Sequence, residues 1–376
     1  MTRLPEKCFF SLLLFLIASQ GFSQEAVYKT EDGVQFRVEV VLSNLEIPWS
    51  LVFGPNGDLY FTERPGRLQV LRAGSKSPML IAELEEVVHR GEGGLMGLAL
   101  HPNFSQDSLL YVSYTYRARD GLRNRVVRYR LRKAMLAQRS VIVDELPGAR
   151  FHNGCRIRFG PDGKLYVTTG DATDRQIAQE LQSLGGKILR VNDDGSVPSD
   201  NPFRDSPIYA FGCRNAQGID WHPGSGLLFE TEHGPSGFDG PGGGDEVNII
   251  EAGKNYGWPT VHHRQRRKGM VSPLLEYTPA VAPGSGTFYR GDLIPKFKEN
   301  YFFGALRGQH IHRIVLDPSN PRKVSRTERL LEGEFRRIRD ITEGPDGAIY
   351  FCTSNRDSRA RPFEDDDRIL RIVPVR

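Results

Sequence analysis

Short apolar runs alternate with polar turns along this chain, and one such arrangement recurs six times. The copies read SLVFGPNGDLYFTE from Ser50, LMGLALHPNFSQDSLLYVSY from Leu95, RIRFGPDGKLYVTTGD from Arg156, GIDWHPGSGLLFETEHG from Gly218, SGTFYRGDLIPKFKENYFFGALRG from Ser285 and ITEGPDGAIYFCTS from Ile341. Each joins an apolar run, through a turn of Gly, Pro and Asp, to a second run rich in Tyr, Phe, Val and Thr. That is the signature of a β-hairpin. The turn prolines stand at Pro55, Pro102, Pro161, Pro223 and Pro345, and the fifth copy is degenerate around Gly291. The mean spacing of about 58 residues leaves room for four strands per copy. Repetition on this scale means a solenoid or a propeller. Without helical periodicity between the copies, the pattern predicts an all-β fold, a six-bladed β-propeller of four-stranded antiparallel blades.

An open ring of blades would leave unpaired strand edges, which invite aggregation. The strand-like segments Phe36 to Leu42 and Arg368 to Val373 are therefore expected to share one blade and seal the circle. One propeller absorbs the whole mature chain, residues 24–376. Ahead of it, Arg3 and Lys7 precede an apolar stretch from Cys8 to Ala18, followed by small and polar residues through Ser23. This reads as a secretory signal peptide, residues 1–23, with cleavage between Ala18 and Gln24. The stretch is too short for a membrane anchor. The expectation is an exported protein, periplasmic or secreted, without stable membrane insertion. Its formal charge of +4 with 26% charged residues gives no reason to expect nucleic acid as a partner. Cys155, Cys213 and Cys352 remain after processing and are read as small buried hydrophobes.

Polar residues recur at matching offsets from the turn prolines. His152 and Arg214 stand nine residues before Pro161 and Pro223, Arg337 eight before Pro345, and Glu92 ten before Pro102. Asp171 and His233 stand ten residues after Pro161 and Pro223. A hairpin returns both offsets to one end, so these groups are expected to converge on one mouth of the central channel. His152 is the candidate general base, since imidazole takes protons near neutral pH, and Asp171 is placed to hold its Nδ1–H. Arg337 and Arg339 alternate on a strand and share a face. With Arg214 and Arg307 they form a candidate anion site, unless each pairs with a local acid such as Asp340 or Asp171. The Gly-rich loop HGPSGFDGPGGGDE exposes carbonyl oxygens of the kind hard cations accept, with Asp245 and Glu246 nearby.

Several blocks together resemble the soluble quinoprotein sugar dehydrogenases, the aldose sugar (glucose/sorbosone) dehydrogenase family that uses pyrroloquinoline quinone (PQQ). They are GEGGLMGLALHPNF, FHNG with FGPDGKLYVTTGD, GGKILRVNDDGSVPSDNPF, FGCRNAQG, EHGP, DEVNII with NYGWP, and GALRGQH, spread from about Val38 to Val373. The resemblance implies a six-bladed propeller with PQQ and calcium as cofactors. His152 matches the family's base and Asp171 its orienting acid. Arg214 and Asn215 match residues lying against the quinone, and Arg307 falls where the family has Lys or Arg. Arg337 and Arg339 match ligands of the cofactor carboxylates, Gly234 and Pro235 the carbonyl donors to Ca²⁺. Glu92 falls where glucose-type members carry Gln, and Phe151 replaces an acidic residue. The aromatic substrate contacts of the glucose-type enzyme have no counterpart around Glu276 to Pro283. The implied reaction is oxidation of an aldose at C1 to a lactone, with electrons passed to an external acceptor. Two rival readings of the same mouth are a non-catalytic carbohydrate-binding propeller and a Ca²⁺-dependent lactonase.

Overall fold

The computed structural model describes residues 26–375, so the expected leader, residues 1–23, lies outside the described residues. Regular structure is almost wholly β and falls into six antiparallel sheets. The first comprises Pro48–Phe53, Leu59–Glu63, Arg67–Leu71 and Met79–Glu83. The second comprises Leu95–Leu100, Leu109–Ala118, Gly121–Arg132 and Met135–Pro147. Gly154–Phe159, Leu165–Thr169, Lys187–Val191 and Ile208–Phe211 form the third. The fourth holds Ala216–Trp221, Leu228–Glu232, Asp245–Ile250 and Leu275–Tyr277. The fifth holds Pro283–Phe288, Tyr301–Ala305, His310–Asp317 and Asn320–Leu330. Each repeated motif spans the first two strands of a blade, as expected. The degenerate fifth copy carries a longer connection with a 3₁₀ turn at Pro295–Phe297.

The sixth blade closes the ring. Ile338–Glu343, Ile349–Thr353 and Ile369–Pro374 come from the C-terminal end, and Gln35–Leu42 from the N-terminal end pairs against Ile369–Pro374. The register runs from Phe36 opposite Pro374 to Leu42 opposite Ile369. A short fifth strand, Val27–Lys29, extends this blade beyond the expected four.

First strands touch their neighbours on both sides all the way round. They are therefore covered on both faces; Ala216–Trp221 and Pro283–Phe288 are buried at every position. The outer strand Asn320–Leu330 is mostly half-buried or exposed, with burial only at Glu328 and Leu330, as suits an edge facing water. The apolar core follows from this. Six clusters lie between successive blades, each drawing side chains from two of them. Phe36, Leu370 and Ile372 from the closing blade pack with Phe302 and Ile311 of the fifth. Tight approach near the axis needs small residues. A Cβ on Gly97 would sit 2.3 Å from the carbonyl oxygen of Cys155 in the next blade. Cys155, Cys213 and Cys352 are free and buried, as anticipated, and burial pushes all three thiols upward.

Among the described residues, no helix is long and apolar enough to cross a membrane. If the closing strand holds the ring, deleting residues 368–376 exposes two strand edges and part of the core. Thermal unfolding of that truncated protein is expected to lose cooperativity or shift down by many degrees. An unchanged melting temperature would show that closure contributes nothing.

Candidate functional site

Residues just before the first strands line a cavity of about 380 Å³ at one mouth of the channel, and the far ends of those strands line another. The first cavity gathers Glu92, His152, Arg214, Gly234, Pro235, Arg307 and Arg337 from different blades. Of the residues aligned by their offsets from the turn prolines, Glu92, His152, Arg214, His233 and Arg337 line this cavity. Asp171, Asn215 and Arg339 are buried and lie outside its lining.

His152 occupies the left-handed region at φ 58°, which costs an ordinary residue about 1–2 kcal/mol. Surrounding bonds hold it there. Its N–H donates to Glu92 Oε2 at 3.0 Å and its carbonyl accepts from the Ala172 N–H at 3.1 Å. A Cβ on Gly170 would meet that carbonyl oxygen at 1.9 Å, so the TTGD turn requires glycine there. His152 Nδ1 lies 2.7 Å from Asp171 Oδ1. A carboxylate only accepts, so Nδ1 carries a hydrogen, and in the neutral ring Nε2 is the nitrogen without one. Asp171 is itself immobilised: its Oδ2 accepts from Trp258 Nε1 at 2.8 Å and its Oδ1 from the Thr173 N–H at 2.8 Å. Its own N–H donates to the Arg214 carbonyl at 2.8 Å, tying the base to the next blade.

The arginines divide into paired and unpaired. Asp340 and Asp171, the local acids anticipated as partners, are engaged elsewhere, Asp340 by Arg156 and Asp171 by His152. Arg214 instead binds Asp239 through Nε at 2.7 Å, with further bonds to the His233 carbonyl and Ser236 Oγ. Arg337 binds Asp357 at 2.7 Å. Arg339 reaches deeper, donating to Gln217 Oε1 at 2.9 Å over the Trp49 ring. Burial, and then the neighbouring Arg64 guanidinium, hold Arg339 well below the ordinary arginine value. Among the described residues its Nε has no partner, and neither has the buried Nδ2 of Asn215. Arg307 is exposed at the cavity edge and has no ion pair or side-chain hydrogen bond among the described residues. Local acids thus neutralise part of the anion site and leave part of it unsatisfied.

Glu92 pairs with Arg359 at 2.9 Å. Burial alone would raise its carboxyl, but Arg359, the His233 and His152 rings and the His152 N–H bring it down to about 2. Gly234 donates its N–H to Asp245 Oδ1, and Pro235 accepts from the Gly243 N–H. Asp245 Oδ2 accepts from the N–H groups of Val281 and Ala282. Glu246, expected beside this loop, points the other way. As the next residue on Asp245–Ile250 it faces the interior with Glu230 and Glu232, and Asn248 donates to Glu230 and Glu246 at 3.1 Å each.

The sequence reading missed Phe238, Asp239, Trp258, Asp357 and Arg359. Only the first two left a signal, as an aromatic and an acid within an otherwise Gly-rich loop. Trp258 and Arg359 reach the site from segments outside the hairpin offsets.

The glucose/sorbosone dehydrogenase family model matches residues 45–362. The aldose sugar dehydrogenase YliI of Escherichia coli is 32% identical, over 90% of this chain and 92% of its own. The PQQ-bound aldose sugar dehydrogenase of Streptomyces coelicolor superposes with a TM-score of 0.80 at 32% identity, covering 90% of this chain and 98% of that one. The apo-form of the soluble aldose sugar dehydrogenase from Escherichia coli gives 0.80 at 30% identity, covering 90% and 100%. A six-bladed ring, a buried Asp–His pair and a guanidinium-walled mouth agree with that similarity, and the chain belongs to the glucose/sorbosone dehydrogenase family.

Proposed function

We propose that this protein is an exported, PQQ- and Ca²⁺-dependent aldose dehydrogenase that oxidises sugars at C1 to lactones. The observation that carries the reading is the Asp171–His152 pair, whose bare Nε2 belongs to a ring lining the cavity that Arg214, Arg307 and Arg337 also line. The residues fit both cofactors. Arg307 and Arg337 line the cavity and suit a ligand bearing carboxylates, while the unpartnered Arg339 Nε and Asn215 Nδ2 lie buried outside its lining. The carbonyls of Gly234 and Pro235 are hard oxygen donors for Ca²⁺, and Pro235 keeps one lone pair after accepting from Gly243.

When bound, PQQ would supply a hydride-accepting quinone and Ca²⁺ a Lewis acid beside it. The chain supplies the rest. His152 takes the anomeric hydroxyl proton at Nε2, completing the loss of hydride and proton that turns the lactol carbon into a lactone carbonyl. Asp171 fixes the tautomer and steadies the imidazolium that results. Arg337 and Arg339, with Arg307, hold carboxylates, and Arg214, anchored by Asp239, offers positive charge where negative oxygen develops. Glu92 locks the strained backbone of the base. An external acceptor then removes the electrons.

Adding PQQ and Ca²⁺ to the purified apoprotein is expected to restore dye-linked oxidation of aldoses, and chelation before loading to prevent it. No activity across a broad sugar panel would contradict the reading. His152→Ala should lower kcat by about 10²-fold or more while PQQ still binds, as judged by absorbance titration; a near wild-type rate would remove His152 as the base. Glu92 titrates lower in the folded chain than its ordinary 4.5, so its stabilising contribution is full above pH 4.5 and fades as pH falls towards 2. Glu92→Gln should therefore be less stable than wild type at neutral pH, with the gap closing across that acid range in parallel melting curves.

A further inference from the structure

We infer that Phe238, carried on the strap 235–243, is the platform against which the sugar ring lies above the base, so that this strap sets substrate preference. The inference rests on the sugar-oxidising reading. Phe238 is 66% exposed, an unfavourable position for a phenyl ring. It nevertheless lies nearly parallel to the His152 imidazole, with centroids 5.8 Å apart and planes 23° apart, and it lines the cavity.

The strap around it is held firmly. Asp239 accepts from Arg214 Nε at 2.7 Å and from the Ser236 N–H at 2.9 Å, and its carbonyl accepts from Arg175 at 3.1 Å. A turn closes from the Gly237 N–H to the Gly240 carbonyl at 3.0 Å, and the Gly243 N–H returns to the Pro235 carbonyl. Phe238 thus sits at the tip of a braced turn, presented towards the mouth.

The rest of the mouth complements this. Ala280 and Ala282 offer only small side chains, while the Glu92–Arg359 pair supplies charged hydrogen-bonding groups. A pyranose has a face of C–H bonds and a rim of hydroxyls. Its C–H face suits the electron-rich face of a phenyl ring, and its hydroxyls suit the charged pair. That arrangement would bring an anomeric hydroxyl towards the ring of His152.

The test uses full-length wild type, Phe238→Ser and Phe238→Trp, each supplied with PQQ and Ca²⁺. Rates are measured on D-glucose, D-galactose, D-xylose and maltose. Binding of 1,5-anhydro-D-glucitol, which has no C1 hydroxyl to oxidise, is read by saturation-transfer NMR. For the best-oxidised sugar, Phe238→Ser should raise KM about tenfold with kcat within about twofold, and Phe238→Trp should restore KM. All three proteins should give the same PQQ absorbance titration. Saturation of the anhydroglucitol should be strong in wild type and Phe238→Trp and lost in Phe238→Ser. An unchanged KM in Phe238→Ser, a fall in kcat alone, or equal or absent saturation transfer in wild type and Phe238→Ser would overturn the platform. If wild type takes up no PQQ, the dehydrogenase reading fails, and the NMR comparison still decides whether Phe238 meets sugar.

Discussion

Backbone pairing between Gln35–Leu42 and Ile369–Pro374 is the interaction on which the rest of this molecule depends. It joins chain segments as far apart as Arg371 and Glu39, which also meet through an ion pair across 332 residues. The blades pack through clusters shared by neighbours, and the two clusters that flank the sixth blade are complete only when the circle closes. Closure also brings Glu92, His152, Arg214 and Arg337 from separate blades to one mouth. A chain that failed to seal would lose the site and the core together.

Within that frame, the site is maintained by bonds that cross blade boundaries. His152 is kept in an unfavourable backbone conformation by Glu92 from the preceding blade, while Asp171 behind it is tied to Arg214 of the following one. Strain localised at one residue and offset by its surroundings is a common feature of functional positions. The guanidinium groups show a similar balance. Asp239 and Asp357 neutralise two of them, so the ring tolerates concentrated positive charge before any ligand arrives. Arg307 stays exposed at the cavity edge, and the buried position of Arg339 makes its charge costly.

The architecture was legible because propeller blades repeat. The hairpin motif carries its own turn chemistry, and the offsets from Pro161 and Pro223 set His152 and Arg214, which line one cavity, beside Asp171, which meets His152. Arg337 and Arg339 were expected to alternate on one strand, but Arg337 precedes Ile338–Glu343 and meets Asp357, while Arg339 lies on that strand and meets Gln217. Glu246 illustrates the limit of adjacency. It neighbours Asp245 in sequence, but a strand sends successive side chains to opposite faces, so it joined a buried acidic cluster instead of the loop. Phe238, Trp258 and Arg359 arrive on connections without periodicity, where only the folded backbone decides what a side chain reaches.

The central claim is that the mouth is a PQQ site with an imidazole positioned to take a proton from substrate. A crystal structure of the protein soaked with PQQ and CaCl₂ tests it most directly. The account predicts quinone density in this cavity, with its carboxylates against Arg307, Arg337 and Arg339, its ring system beside Arg214 and within reach of His152, and a cation on the carbonyls of Gly234 and Pro235. Quinone bound elsewhere, or an empty mouth at saturating PQQ, would contradict it.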